Sequence, residues 1–141
     1  MGRKKTEHMR ILLAGNPNCG KSTLFNALTG GHAKTGNWHG VTVGMTERAA
    51  RIGGHGAVFA DLPGIYSLSS PNMEEEISRR ALSGKDYAAA LVVMDALTLP
   101  RSLHLFYEVK ALAPKTLLVV TMRDLLRRRG GFLDEKKLSE M

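Results

Sequence analysis

The sequence predicts an α/β fold with a mostly parallel sheet, on three observations. The pattern Gly15-Asn16-Pro17-Asn18-Cys19-Gly20-Lys21-Ser22 stands between an apolar run, Ile11 to Ala14, and a helical pattern carrying Leu24, Phe25 and Leu28. This is the strand, turn and helix context in which G-x-x-x-x-G-K-[ST] forms a phosphate-binding loop. Ala88 to Met94 is an apolar run without polar alternation, as expected of a central strand covered on both faces. Segments of strand and helix character alternate along the chain, which implies parallel strands joined by right-handed crossovers.

Taken in order, residues 1 to 8 read as a basic tail, and 9 to 141 as one domain. Strand 1 is expected over Arg10 to Ala14 and helix 1 over Lys21 to about Leu28, stopped by Gly30-Gly31. His32 to Gly40 is polar and non-periodic and reads as a mobile loop. Val41 to Ile52 alternates imperfectly and turns at Gly53-Gly54. With the short run Ala57 to Ala60, which delivers Asp61, it predicts an antiparallel hairpin. Asn72 and Glu75 have the spacing of a reciprocal helix cap, so a helix is expected from Met73 to about Leu82, with Glu74, Glu75 and Glu76 suiting its positive end. Thr98 to Leu112 has helical spacing, Lys115 to Val120 reads as a second buried strand, and a helix starts near Asp134. Ligands in such folds sit at the carboxyl ends of the strands, where Gly15, Asp61, Asp95 and Thr121 are expected to meet.

Composition narrows the class. The chain has 141 residues, 43% of them hydrophobic and 23% charged, which suits a globular domain with one sizeable core. A single cysteine, Cys19, excludes an internal disulfide and fits a reducing compartment. The longest apolar run, Ala88 to Met94, is far short of the roughly 18 residues that span a bilayer, so the chain reads as soluble and cytoplasmic. The net charge of +7 is concentrated in Arg3, Lys4, Lys5 and Arg10 and in Arg127, Arg128 and Arg129. Nucleic acid is not the expected partner, because no RNA-binding signature or interleaved aromatic pattern accompanies these clusters.

The chemistry expected of the loop follows from charge and sterics. Glycines let successive backbone N–H groups, from Asn18 through Cys19, Gly20, Lys21 and Ser22 to Thr23, turn toward an anion. The first turn of the following helix adds donors and a partial positive charge. Lys21 supplies a compact cation for the outer phosphates, and the Ser22 hydroxyl suits Mg²⁺. Asp61 lies 40 residues after Lys21 and is followed by Leu62-Pro63-Gly64. Its carboxylate can hold a Mg²⁺ water shell, and Gly64 offers an N–H to a terminal phosphate. Cys19 reads as a small space-filler, with a reactive thiol beside Lys21 as the sharper alternative. His32, His39 and His55 match no compact metal motif, so iron binding by this chain is not expected.

With GNPNCGKS, the segments NWHGVTV (Asn37 to Val43) and DLPGIYSLSS (Asp61 to Ser70) resemble the first three nucleotide motifs of the GTPase domain of bacterial ferrous iron transport protein B. The resemblance runs from Met9 to about Leu138. It implies a three-layer P-loop GTPase fold, mostly parallel with one antiparallel strand. It further implies a GTP-binding, slowly hydrolysing switch that uses GTP/GDP and Mg²⁺ and is stimulated by K⁺. The partners implied are guanine nucleotide and the membrane-embedded transporter portion of a parent protein, at the inner face of the cell membrane. Thr42, beside Gly40 and Val41, would be the first-switch threonine reaching Mg²⁺ and the γ-phosphate. Asn18, with the carbonyls of Gly36 and Trp38, would hold K⁺.

Three departures shape the expected mechanism. Ile65 stands where many signalling GTPases have a water-orienting glutamine, so catalysis would rest on Mg²⁺, Lys21 and K⁺ and on water placed by switch backbone, and run slowly. The guanine-reading N-x-x-D motif is represented by Thr121-Met122-Arg123-Asp124. Asp124 can read guanine, but Thr121 lacks the amide donor and acceptor of asparagine. Losing such hydrogen bonds costs about 1–3 kcal/mol, roughly 5- to 150-fold in affinity, so guanine preference is expected to survive weakened. The family's domain also continues with a further strand and a closing helix, which makes this chain read as C-terminally truncated. Two other classes remain open at this stage. One is a basic GTPase acting on ribosomal RNA through Arg127 to Arg129, and the other is a nucleotide-binding-impaired interaction module.

Overall fold

The computed structural model describes residues 9–30, 45–69, 71–84 and 86–141. Its order is β1 (Met9–Gly15), α1 (Lys21–Thr29), β2 (Thr46–Ile52), β3 (His55–Asp61), α2 (Met73–Gly84), β4 (Ala89–Asp95), α3 (Leu99–Leu112), β5 (Thr116–Thr121), α4 (Arg123–Arg128) and α5 (Glu135–Ser139). The sheet runs β2-β3-β1-β4-β5. Among the described residues only β2 with β3 is antiparallel; β1 pairs in parallel with β3 and β4, and β4 with β5.

Strand alternation divides the interior into two layers. Leu12 and Ala14 of β1 join Ala90, Val92 and Met94 of β4 beneath α2 and α3, where Leu82, Leu105 and Val109 meet them. Leu13 points to the opposite face and packs with Phe25 of α1 and with Ala57 and Phe59 of β3. Helices therefore cover both faces of the sheet. This is why β1 and β4 carry continuous apolar runs.

Local signals act as their chemistry dictates. Glu75 N–H donates to Asn72 Oδ1 at 2.8 Å, the cap expected of that spacing, and the Glu75 carboxylate answers by accepting from the Asn72 side-chain Nδ2 at 3.1 Å. Gly30, at φ 79°, closes α1 in the left-handed conformation that glycine adopts without a side-chain clash. The four strand ends Gly15, Asp61, Asp95 and Thr121 fall where the sequence puts them.

Other expectations need correction. Lys115 to Val120 reads as a buried strand, but β5 is the sheet edge among the described residues, and its Leu117 is half exposed. A Leu/Val run cannot distinguish cover on two faces from cover on one. The hairpin's second strand is longer than Ala57 to Ala60, because ladder pairing extends it back to His55. Of the Val41 to Ile52 strand, residues 41–44 lie outside the described residues, and β2 starts at Thr46. The short helix α4 has no counterpart in the sequence reading, and the terminal helix α5 spans only Glu135–Ser139. No helix of the described residues is long and apolar enough to cross a membrane.

Candidate functional site

The loop between β1 and α1 is shaped by close approach. A Cβ on Gly15 would lie 2.5 Å from the Val93 carbonyl oxygen of β4 and 3.0 Å from Cys19 Sγ, so the strand can only turn here as glycine. Asn18 then takes a left-handed φ of 65°, a region asparagine tolerates better than most residues. Gly20 follows at φ 92° as the N-cap of α1. The first bond of the helix runs from Leu24 N–H to Gly20 C=O at 3.0 Å, so the earlier N–H groups of the turn have no intrahelical acceptor.

Beside this turn opens a cavity of about 620 Å³. Asn18, Gly20, Lys21, Ser22, Thr23, Gly64 and Met122 line it, all of them residues that the sequence singles out. Asn16 and Pro17 line it too, although the motif does not single them out. Both occupy variable slots of the motif, and neither type signals a ligand. Gly64 is held against the loop: a Cβ there would sit 3.1 Å from Pro17 Cα, and the next residue, Ile65, donates its N–H to Gly15 C=O at 2.9 Å.

Lys21 is 8% exposed, and its ammonium is held between two acceptors, the Asp61 carboxylate and the Leu62 carbonyl oxygen, the latter at 2.7 Å. A buried cation needs such partners. Asp61 is thus brought to the lysine from the end of β3, although it does not itself line the cavity. Ser22 and Thr23 are exposed on the first turn of α1.

Thr121 holds the loop from beneath. Its hydroxyl donates to Cys19 C=O at 2.6 Å, and its side chain lies 3.4 Å from where a Gly20 Cβ would be. The next residue, Met122, is held at φ 62°, a strained conformation for a long side chain and one that tends to mark functional positions. Asp124 is exposed in the first turn of α4 and does not line the cavity. Cys19 is 1% exposed, and burial pushes its thiol pKa up, against the lowering influence of Lys21. Burial at 1% exposure fits the space-filling reading of this side chain better than that of a reactive thiol. Gly36, Trp38, Gly40, Val41 and Thr42, with His32 and His39, lie outside the described residues. Among the described residues no group of three His, Cys, Asp or Glu side chains could hold a metal ion by itself.

The arrangement is a turn of backbone N–H groups with a buried cation and a hydroxyl lining the cavity, and a carboxylate behind them on the Lys21 ammonium. Such a donor set suits a polyphosphate and a hard divalent metal. A family profile described as Ferrous iron transport protein B matches residues 9–141. The Fe(2+) transporter FeoB of Leptospira interrogans is 46% identical over 121 residues, covering 85% of this chain, and that of Legionella pneumophila is 37% identical over 134 residues, covering 92%. The chain spans only 17% and 18% of the length of those two relatives. Among solved structures, the G domain of the T. maritima FeoB iron transporter superposes with a TM-score of 0.83 at 34% identity, covering 95% of this chain and 82% of that one. The cytosolic domain of the same transporter in a GDP form gives 0.86 at 34% identity, covering 97% and 54%. The fold is accordingly that of a P-loop GTPase, and the chain belongs to the ferrous iron transport protein B family, whose G domain it matches.

Proposed function

We propose that this chain binds guanine nucleotide and hydrolyses GTP slowly, as the switch domain of a ferrous iron transporter. The observation that carries the reading is Lys21, a buried ammonium at the floor of a 620 Å³ cavity rimmed by the N-terminal turn of α1. The GDP-bound T. maritima relative supports the choice of nucleotide.

The chain's own residues divide the work. The N–H groups of Gly20 to Thr23 and the Lys21 ammonium bind and orient the phosphates. Ser22 and Asp61, with Thr42, would hold Mg²⁺, whose charge offsets the negative charge that develops on the transferred phosphoryl group. Asn18 with the carbonyls of Gly36 and Trp38 would take K⁺. Gly64 presents its backbone N–H to a terminal phosphate. Ile65 cannot orient water, and at 2% exposure it belongs to the core, which leaves that task to backbone groups and accounts for slow turnover. Asp124 would read the guanine ring and Met122 would pack beside it. Thr121 contributes to the loop instead of the base, because its hydroxyl is committed to Cys19 C=O. In the parent protein, ordering of the two switch segments by GTP would be relayed to a membrane-embedded iron pathway, with this domain at the inner face of the membrane.

Titration with fluorescently labelled GDP, GTP and ATP in the presence of Mg²⁺, with phosphate release from GTP followed in parallel, once in K⁺ and once in Na⁺, tests the reading. The expected result is guanine binding, a modest advantage over ATP, and faster GTP turnover in K⁺. Equal turnover in the two salts removes the K⁺ site. Failure to bind any nucleotide overturns the whole reading.

A further inference from the structure

We propose that Glu108 of α3 is a positioning residue that fixes the segment 64–69 against the phosphate cavity, and so sets how much more tightly a nucleoside triphosphate binds than a diphosphate. The proposal rests on the nucleotide-switch reading and deepens it.

The segment after β3 is tethered at two places. Near the cavity, Leu62 N–H donates to Leu13 C=O at 3.0 Å and Ile65 N–H to Gly15 C=O at 2.9 Å, which holds Gly64 on Pro17. The far tether has no strand partner and is built from two helices. Glu108 Oε1 accepts the Leu68 N–H at 2.9 Å, and Oε2 accepts the Ser69 hydroxyl at 2.7 Å and the Ser67 hydroxyl at 3.3 Å. Arg79 of α2 donates twice to Leu68 C=O, at 3.1 and 2.8 Å. Both backbone polar groups of Leu68 are thereby satisfied by charged side chains, and its own side chain is buried at 6% exposure. Between the tethers Tyr66 is 67% exposed.

The same helix also touches the phosphate loop, since Asn16 Nδ2 donates to Ser102 Oγ at 2.8 Å. Six residues along a helix are about 9 Å. The rigid helix α3 thus spaces the loop at Ser102 from the second segment at Glu108. With both tethers in place, the segment from Gly64 to Ser69 is ordered beside the cavity before a ligand arrives, and a triphosphate that reaches Gly64 meets that ordered backbone. Without the far tether the Ile65 bond alone holds Gly64, and a triphosphate must restrain the loosened segment on binding, at an entropic cost of about one residue or more. A diphosphate lacks the phosphate that reaches Gly64 and is indifferent to the tether.

The test compares wild-type chain, Glu108→Ala and Glu108→Gln by titration with GDP and with the slowly hydrolysed analogue GTPγS, at fixed Mg²⁺ and K⁺. Alanine is a good helix former at this partly exposed position and keeps α3 intact. Glu108→Ala is expected to weaken GTPγS about fivefold or more, from the ordering cost above, and to leave GDP within about twofold. Glu108→Gln keeps a carbonyl acceptor for the Leu68 N–H and is expected to recover most of the loss. An unchanged GTPγS-to-GDP ratio in Glu108→Ala overturns the proposal, as do parallel losses for both ligands or a glutamine variant no better than alanine. A wild-type chain that binds neither ligand overturns the nucleotide reading itself, and that result is read first.

Discussion

Removing the carboxylate that holds Lys21 is the most direct way to test the site's electrostatics. The Lys21 side chain is 9% and the Asp61 side chain 20% exposed, so the pair is screened only in part by water. A hydrogen bond to a charged group contributes about 1.5–3 kcal/mol. In Asp61→Ala the ammonium keeps the Leu62 carbonyl at 2.7 Å, which places the loss near the lower half of that range, at about 2 kcal/mol. A domain of this size unfolds with an entropy of roughly 0.3 kcal/mol/K, so Tm should fall by about 7 °C. Asp61→Asn keeps a neutral acceptor and should lose about half as much. Excess GDP should narrow the deficit of Asp61→Ala, because a phosphate replaces the missing anion beside Lys21. Thermal denaturation followed by circular dichroism, with and without GDP, reads all three. A ligand-free Asp61→Ala within about 1.5 °C of wild type, which is about 0.5 kcal/mol, would refute the reasoning.

Three further predictions concern the loop, the base and the clamp that Glu108 forms on residues 67–69. Thr121→Val removes the hydroxyl that serves Cys19 C=O and should weaken GDP, GTP and ATP alike by about fivefold or more. Thr121→Asn restores the amide that guanine reading requires and should raise the GTP-to-ATP affinity ratio; competition binding measures both, and an unchanged ratio in the asparagine variant defeats the base-reading argument. Burial pushes the Glu108 carboxyl up, but hydrogen bonds from Ser69, Leu68 and Ser67 and the nearby His104 outweigh it and hold the group below its usual 4.5. Because the folded-state value is the lower one, the clamp's contribution is complete above about pH 4.5 and disappears as pH falls through the depressed value. The stability gap between wild type and Glu108→Gln, taken from urea denaturation, should therefore close on acidification below that point, and a gap that widens there contradicts the assignment.

How much of this is legible in the sequence depends on the range of the interaction. The phosphate loop, the reciprocal cap at Asn72 and Glu75 and the stop at Gly30 are local, and their residue types announce them. The meeting of Gly15, Asp61, Asp95 and Thr121 follows from parallel topology once the strands are recognised. The position of β5 at the edge is a property of strand order, to which a run such as TLLVV is blind. Helix α4 has only the six residues RDLLRR, too few to establish a period. The Thr121 hydroxyl and the Glu108 carboxylate act on residues 102 and about 40 positions away, and nothing in their types or neighbours identifies those partners. Thr121 is instructive: read for what it cannot do to a base, it proves to brace the loop.

Gly15 and Ser22 belong to the same motif, yet altering them asks different questions. Any side chain at Gly15 would strike a carbonyl of β4, so a variant there damages the sheet whether or not an anion ever binds. Ser22 is exposed and meets no such wall. A dead Gly15 variant is therefore uninformative about ligands, whereas a silent Ser22 variant would speak directly against a metal at this rim.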